Sequence, residues 1–202
     1  NIIDADIIMA VLCKDIINSS ENKTVLTDVK CSKTLEDEIL RCGGKILVET
    51  PSSATQERIM NEQDIMFGGG YSNHIFFRDR HPGYDDGIYV GLRVQEMLTN
   101  TDETLTDMVK KLNHYYNTEE IKVRTTDEKK WGIVDGVKKY ADQKNYSYSE
   151  VDGVKVFKDN GWALVRASNT GPNLTLRFEA NTEKELKHIQ EEFMAVLDIL
   201  QK

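Results

Sequence analysis

Two apolar runs of strand length, Trp162-Ala163-Leu164-Val165 and Leu174-Thr175-Leu176-Arg177-Phe178, are separated by Arg166-Ala167-Ser168-Asn169-Thr170-Gly171-Pro172. Runs this short have to be buried in a sheet, and the polar segment between them, ending in Gly and Pro, is where the chain must turn. The turn also concentrates a particular chemistry. Arginine offers a planar fork of donors, Ser168, Asn169 and Thr170 offer short ones, and Gly171 lets backbone N–H groups approach a ligand closely. Pro172 stiffens the exit. An anionic oxygen group needs those parts; an ordinary polar hairpin loop has the same composition, and both readings stand at this point.

The same patterning organises the rest of the chain. Residues 6–17 read as a helix, with Ile7, Ala10, Val11, Ile16 and Ile17 as apolar positions. Thr24 to Val29 is a strand, Ser32 an N-cap for a helix through Cys42, and Lys45 to Glu49 the next strand after Gly43-Gly44. A short helix near residues 56–61, strands at 65–67 and 75–77, and a helix from Asp86 to Leu98 follow. This alternation predicts an α/β layered domain over residues 1–112. A short amphipathic helix carrying Leu105, Met108, Val109 and Leu112 lies in the connection. Residues 118–202 read β-α-β-β-β-α: a strand at Ile121–Val123, a helix with Trp131, Val134, Val137 and Ala141 on one face, turns at Asp152-Gly153 and Asn160-Gly161, and a closing helix with Leu186, Ile189, Phe193, Val196, Leu197 and Leu200 at helical spacing. Four strands and two helices predict a small α+β domain with one sheet face covered.

Composition narrows the function classes. A net charge of −8 argues against a nucleic-acid surface, no apolar run is long enough to cross a bilayer, and the N-terminus has no signal-peptide core. Cys13, Cys31 and Cys42 are odd in number and lack Cys-x-x-Cys spacing, which fits free thiols in a reducing, cytoplasmic setting. The chain starts without Met, as expected of a fragment or processed product. Asp4-Ala5-Asp6 offers two carboxylates, but a pair at a helix start more simply caps it and favours its positive end, so no metal site is expected there.

Arg-x-Ser-Asn-Thr-x-Pro followed by Leu-Arg-Phe-Glu-Ala resembles the phosphate-binding loop of the α-D-phosphohexomutases, the phosphomannomutase/phosphoglucomutase family. Asp28-Val29-Lys30-Cys31-Ser32 is similar to the strand end where that family carries a substrate-contacting lysine. Phe67-Gly68-Gly69-Gly70-Tyr71-Ser72-Asn73-His74 stands where it carries Gly-Glu-x-Ser-Gly-His, its sugar-reading loop, and Gly83-Tyr84-Asp85-Asp86-Gly87 resembles the segment that follows. The order and spacing of the four blocks match the last two of the family's four domains. The resemblance implies a TATA-binding-protein-like fold for the C-terminal domain, a four-stranded antiparallel sheet with two helices. It also implies that this part binds a hexose phosphate, mannose or glucose 1- or 6-phosphate. Arg166, Ser168, Asn169 and Thr170 would grip phosphate, with Arg177 supporting the loop or the ligand. Lys30, Ser72 and His74 would contact the sugar. The phosphoserine nucleophile and the Asp-rich loop that holds Mg²⁺ belong to the family's other domains, so no catalytic residue and no metal ligand are expected here, and the partner is the N-terminal part of the same enzyme.

The resemblance has gaps. Gly70 stands where the family has its sugar-binding glutamate, Asn73 replaces the following glycine, and Ser52-Ser53 replace a Gly-His pair. A working isomerase and a non-catalytic phosphosugar-binding module or degenerate paralogue are both compatible with that pattern.

Overall fold

The structure, a computed structural model, describes residues 2–201 and divides after His114 into two units, described in turn. The first runs α1 (Ala5–Ser19), β1 (Thr24–Asp28), α2 (Lys33–Arg41), β2 (Lys45–Glu49), α3 (Ser53–Glu62), β3 (Phe67–Gly69), β4 (Ile75–Phe77), α4 (Gly87–Thr99) and α5 (Leu105–Lys110). Short polar side chains start most of these helices by accepting from orphan amides: Ser32 from Thr34, Ser52 from Thr55, Asp86 from Ile88 and Tyr89, Thr104 from Asp107. At α1 the expectation of carboxylate capping is corrected. Asp4 occupies the N-cap position but its side chain accepts no capping bond, whereas Asp6, fully buried in the first turn, accepts from the N–H groups of Ile7 at 3.0 Å and Ser32 at 2.8 Å. Asp6 thus ties the start of α1 to the start of α2.

The sheet order is β2-β1-β3-β4, with β1 parallel to both β2 and β3, and β4 antiparallel to β3. Alternation along the strands divides the burial. Val25, Phe67 and Phe77 pack with α1 and α2 residues such as Met9, Ile16, Leu35 and Ile39, while Leu26 and Phe76 pack with Ile59 and Met60 of α3. Helices on both faces make an α/β/α sandwich. The chain passes from β1 through α2 to β2 on one side, then through α3 to β3 on the other side of β1. The strand order therefore reverses between β1 and β3, and ligands of open α/β sheets bind at the carboxyl ends of strands at such a point.

The second unit runs β5 (Tyr116–Asn117), β6 (Ile121–Arg124), α6 (Lys130–Lys144), β7 (Ser147–Ser149), β8 (Val154–Lys158), β9 (Gly161–Ala167), β10 (Asn173–Ala180) and α7 (Glu183–Leu200). It is the expected small α+β layout, but the antiparallel sheet holds six strand segments rather than four. β5 and β6 are two pieces of one edge, pairing with opposite ends of β10, and β7 is a polar three-residue edge on β8. Neither short segment has enough apolar alternation to show in the sequence. One sheet face, with Val154, Val156, Ala163, Val165, Leu174, Leu176 and Phe178, is packed under α6 and α7. The inner stripe of α6 is Lys130, Ile133, Val134, Val137 and Ala141; Trp131, expected on that stripe, is 56% exposed. Phe193 and Leu197 of α7 are fully buried. Thr182 caps its start, the hydroxyl accepting from the Glu185 N–H at 3.2 Å and donating to the Glu185 carboxylate at 2.8 Å.

Candidate functional site

In the first unit, the residues leaving β1 and β3 meet at the switch point. Lys30, two residues past β1, is buried, and its Nζ donates to the hydroxyl of Ser72 in the loop after β3. The same ammonium lies 5.7 Å from the centre of the Tyr71 ring. Lys30 and Ser72, 42 residues apart, are thus brought into direct contact. The bracket that holds them is Asp28, the last residue of β1. One carboxylate oxygen accepts from the Lys30 N–H at 2.7 Å, the other from the Tyr71 N–H at 3.1 Å, so one buried anion fixes both loops. Its part had no trace in the sequence, where it reads as a strand-ending Asp.

The loop itself is tight. The Gly70 N–H donates to His74 O at 2.9 Å and the Asn73 N–H to Gly70 O at 3.3 Å. Asn73 sits in the left-handed region, φ +66°, a conformation that glycine also adopts without strain. Gly70 is different: a Cβ on it would lie 2.1 Å from Asp28 Oδ2. The Asp28 carboxylate fills the space through which a glutamate side chain would leave residue 70. His74 is half-exposed, its Nδ1 2.5 Å from Asp85 Oδ2, while the neighbouring Asp86 caps α4. Ser52 and Ser53 serve α3, as its N-cap and first residue.

In the second unit, β9 and β10 present the Arg166–Pro172 turn. Arg166 pairs with Thr175 across the ladder and Arg177 with Leu164, which makes the two arginines diagonal neighbours on the face away from α6 and α7. Lys122, Arg124 and Lys155 share that face by register, so it gathers cations on a chain that is acidic overall. Arg166 is oriented by an ion pair, its Nε donating to Asp152 Oδ2 at 2.7 Å. Gly153, at φ +77°, lets that turn lie against β9: a Cβ there would be 2.6 Å from Arg166 Cα. Arg177 is fully buried and donates toward Thr118 O and Asn117 Oδ1, both at 3.4 Å, at the break between β5 and β6.

The turn is folded on itself. The Thr170 N–H donates to Ser168 Oγ, and the two hydroxyls lie 3.3 Å apart. Asn169 is exposed at the tip. Gly171 keeps a negative φ, so its left-handed freedom is not used. Beneath the turn lies a residue that the sequence did not flag. Lys130, buried at the start of α6, donates to Ser168 O at 2.8 Å, to Gly171 O at 3.4 Å and to Asp127 at 2.7 Å. A lysine among helix-stripe residues carries no visible mark of that task. Hydroxyls and the Asn169 amide are thereby left on the rim, where a tetrahedral oxyanion could take them with the Arg166 fork.

Residues 4–116 match the family model described as phosphoglucomutase/phosphomannomutase, alpha/beta/alpha domain III, and residues 120–196 the one described as phosphoglucomutase/phosphomannomutase, C-terminal domain. A phosphomannomutase/phosphoglucomutase of Pseudomonas putida is 34% identical over 98% of this chain, and a phosphomannomutase of Methanocaldococcus jannaschii 29% identical over 95%. Among solved structures, a phosphoglucomutase/phosphomannomutase family protein of Burkholderia thailandensis superposes with a TM-score of 0.89 at 26% identity over 99% of this chain. The chain spans 42% of the length of each of these three proteins. At 11% identity, N-acetylphosphoglucosamine mutase of Aspergillus fumigatus, solved with GlcNAc-6P and magnesium, shares the fold with a TM-score of 0.67. With two consecutive domain models matched along nearly its whole length, the chain belongs to the phosphoglucomutase/phosphomannomutase family.

Proposed function

We propose that this chain is the sugar-reading and distal-phosphate-binding part of a phosphomannomutase/phosphoglucomutase that interconverts hexose 1-phosphates and 6-phosphates. The observation that carries the reading is the contact of Lys30 with Ser72 at the point where the strand order reverses. Two loops with no sequence proximity converge there, and a cation beside a hydroxyl is what a polyhydroxylated anion requires. Lys30 and His74 supply charge or donors to sugar oxygens, and Ser72 a donor and acceptor. In the second unit Arg166 supplies a bidentate fork to a phosphate, with Ser168, Asn169 and Thr170 completing its shell and Arg177 holding the sheet face behind it.

Magnesium, when bound to the complete enzyme, would neutralise phosphoryl charge during transfer. The residues described here do not fit it. Mg²⁺ wants near-octahedral oxygen ligands, and the nearby carboxylates of Asp28 and Asp85 are engaged by backbone amides and by His74. The nucleophile and the metal loop are assigned to the rest of the enzyme, so the 202-residue chain is expected to bind without turning over.

The test is a nitrogen-edited NMR titration with glucose 6-phosphate, mannose 6-phosphate and inorganic phosphate, alongside a coupled mutase assay. Phosphate should move Ser168–Gly171 amides and the Arg166 Nε signal; only the sugar phosphates should also move residues 70–74. Silence at the Arg166 loop with all three ligands would refute the reading. Shifts at the loop with none at 70–74 would favour a phosphate-binding module that has lost its sugar contacts, which is what the Asp28-filled space at Gly70 would produce.

A further inference from the structure

Away from both loops, α1 and α2 bring together two thiols and a carboxylate. The Sγ atoms of Cys13 and Cys42 and a carboxylate oxygen of Glu38 all lie within 4.8 Å of one another. The placement follows from helix geometry. Cys13 lies on the face of α1 that packs against α2, while Glu38 and the C-cap Cys42 are four residues apart, stacked on one side of α2. Cys13 is fully buried, Glu38 is buried, and Cys42 is partly exposed. The separation of Cys42 Sγ from Glu38 Oε1 is 3.7 Å. A tetrahedral ion with metal–sulfur bonds of about 2.3 Å and a metal–oxygen bond of about 2.1 Å spans a sulfur–oxygen edge of about 3.6 Å. The edge is preformed.

We infer that Cys13, Cys42 and Glu38 form a binding site for a thiophilic divalent cation of the zinc and cadmium class. Two sulfurs and one oxygen disfavour magnesium and calcium, which take oxygen donors, and suit a borderline-soft d¹⁰ ion. Charge closes as well. Two thiolates, one carboxylate and a divalent cation sum to −1, and Arg41, whose Nε donates to Glu38 Oε2 at 2.7 Å, returns the cluster to neutrality. That arginine is mostly exposed, so it can release Glu38 Oε1, to which its Nη2 now donates, while keeping Oε2. A cleft of about 380 Å³ whose lining includes Glu38, Arg41, Lys14 and Asp15 borders the carboxylate side of the cluster. Three protein ligands leave a fourth position for water.

Binding moves protons and no electrons. Cys13 Sγ donates to Ala10 O and Cys42 Sγ toward Glu38. One M²⁺ replaces two thiol protons, which leave to solvent, and forms two metal–thiolate bonds and one metal–carboxylate bond.

The experiment is an ultraviolet titration of the reduced protein with cadmium, reading the sulfur-to-cadmium charge-transfer band. One equivalent should saturate a band of two-thiolate intensity, and zinc should bleach it by competition. Cys42→Ser, at a partly exposed position, should reduce the band to one thiolate or less and weaken affinity about 100-fold or more; Glu38→Gln should keep the band and weaken affinity about 10-fold or more, since even partners outside the ligand shell are worth 10–100-fold. Cys31→Ser should change neither. A missing band in reduced, folded protein, or equal affinity in Cys42→Ser with far-UV circular dichroism unchanged, would overturn the inference. So would a thiol count that shows Cys13 and Cys42 joined as a disulfide after aeration, if the re-reduced protein takes up no cadmium.

Discussion

Replacing Gly70 by alanine isolates the relation between this loop and Asp28. The new Cβ would sit 2.1 Å from Asp28 Oδ2 and 2.7 Å from its Cγ, closer than any side-chain contact tolerates. Gly70 has no left-handed φ, so backbone strain adds nothing. Relief requires the Asp28 carboxylate to turn away, and it is buried with its two oxygens serving the Lys30 and Tyr71 amides. Losing two charge-assisted acceptors in a buried site costs about 3–4 kcal/mol, and the lower unfolded-state entropy of alanine returns about 0.5–1 kcal/mol. The expected net loss is about 2–3 kcal/mol. Asp28→Ala alone should cost a similar amount by leaving both amides unmet. In the double variant Asp28→Ala/Gly70→Ala the alanine at 70 has room, so the total should stay near that of Asp28→Ala, giving a coupling of about 2–3 kcal/mol. Both tryptophans, Trp131 and Trp162, lie in the second unit, so intrinsic fluorescence is the wrong probe. Urea unfolding followed by far-UV circular dichroism, with hydrogen exchange at the Lys30 and Tyr71 amides, reads the first unit directly. A Gly70→Ala variant within about 0.5 kcal/mol of the parent, or additive single-site losses, would refute the steric argument. It follows that Gly70→Glu alone does not restore a family-like sugar loop.

Three further outcomes are expected. Arg166→Lys keeps charge but loses the fork and the Nε bond to Asp152, and should weaken inorganic phosphate binding by about 1–3 kcal/mol in the NMR titration; unchanged affinity would make the loop structural. Lys130→Met strips the Ser168 and Gly171 carbonyls of their buried donor and should cost about 2–3 kcal/mol, read here by tryptophan fluorescence in urea, and should broaden the turn's amide signals. Finally, burial opposes the charges of both Glu192 and Lys158, but their mutual bond, with Tyr140 also donating to Glu192, outweighs it: the Glu192 carboxyl is held below the usual range and the Lys158 ammonium above it. The Glu192 contribution is therefore present above the ordinary carboxylate range and fades as pH falls through its lowered pKa, while that of Lys158 is complete below the ordinary lysine range and fades above its raised one. Glu192→Gln should flatten the acid limb of a stability-versus-pH curve by about 1 kcal/mol, and an unaltered limb would count against the pair.

Most elements were legible because each shows its period over enough residues. The helices of the first unit carry caps at Ser32 and Asp86, and of the two central strands Gly161–Ala167 carries a short apolar run and Asn173–Ala180 a regular alternation. What escaped was short or polar: Tyr116–Asn117 and Ser147–Ser149 have no periodicity to read. Lys130 and Trp131 escaped for another reason. Both fall near a helix stripe whose edge is set by what the helix packs against, and helical spacing alone cannot say which of two adjacent residues turns inward.

The departures from the family pattern show where sequence comparison stops. At Asn73 and at Gly70 the letters simply differ, and both look like erosion. The backbone separates them. Asn73 meets a conformational demand, φ +66°, that glycine meets equally, so that exchange leaves the loop's path unaltered. Gly70 meets a spatial demand, because the carboxylate of Asp28 lies where its Cβ would be. A substitution in the first class is reversible by itself. One in the second is bound to a partner 42 residues away, and its meaning for the sugar is carried by Asp28 as much as by residue 70. The space at residue 70 is therefore a property of a pair, in which the buried Asp28 carboxylate accepts from the Lys30 and Tyr71 amides and occupies the place where a side chain on residue 70 would begin.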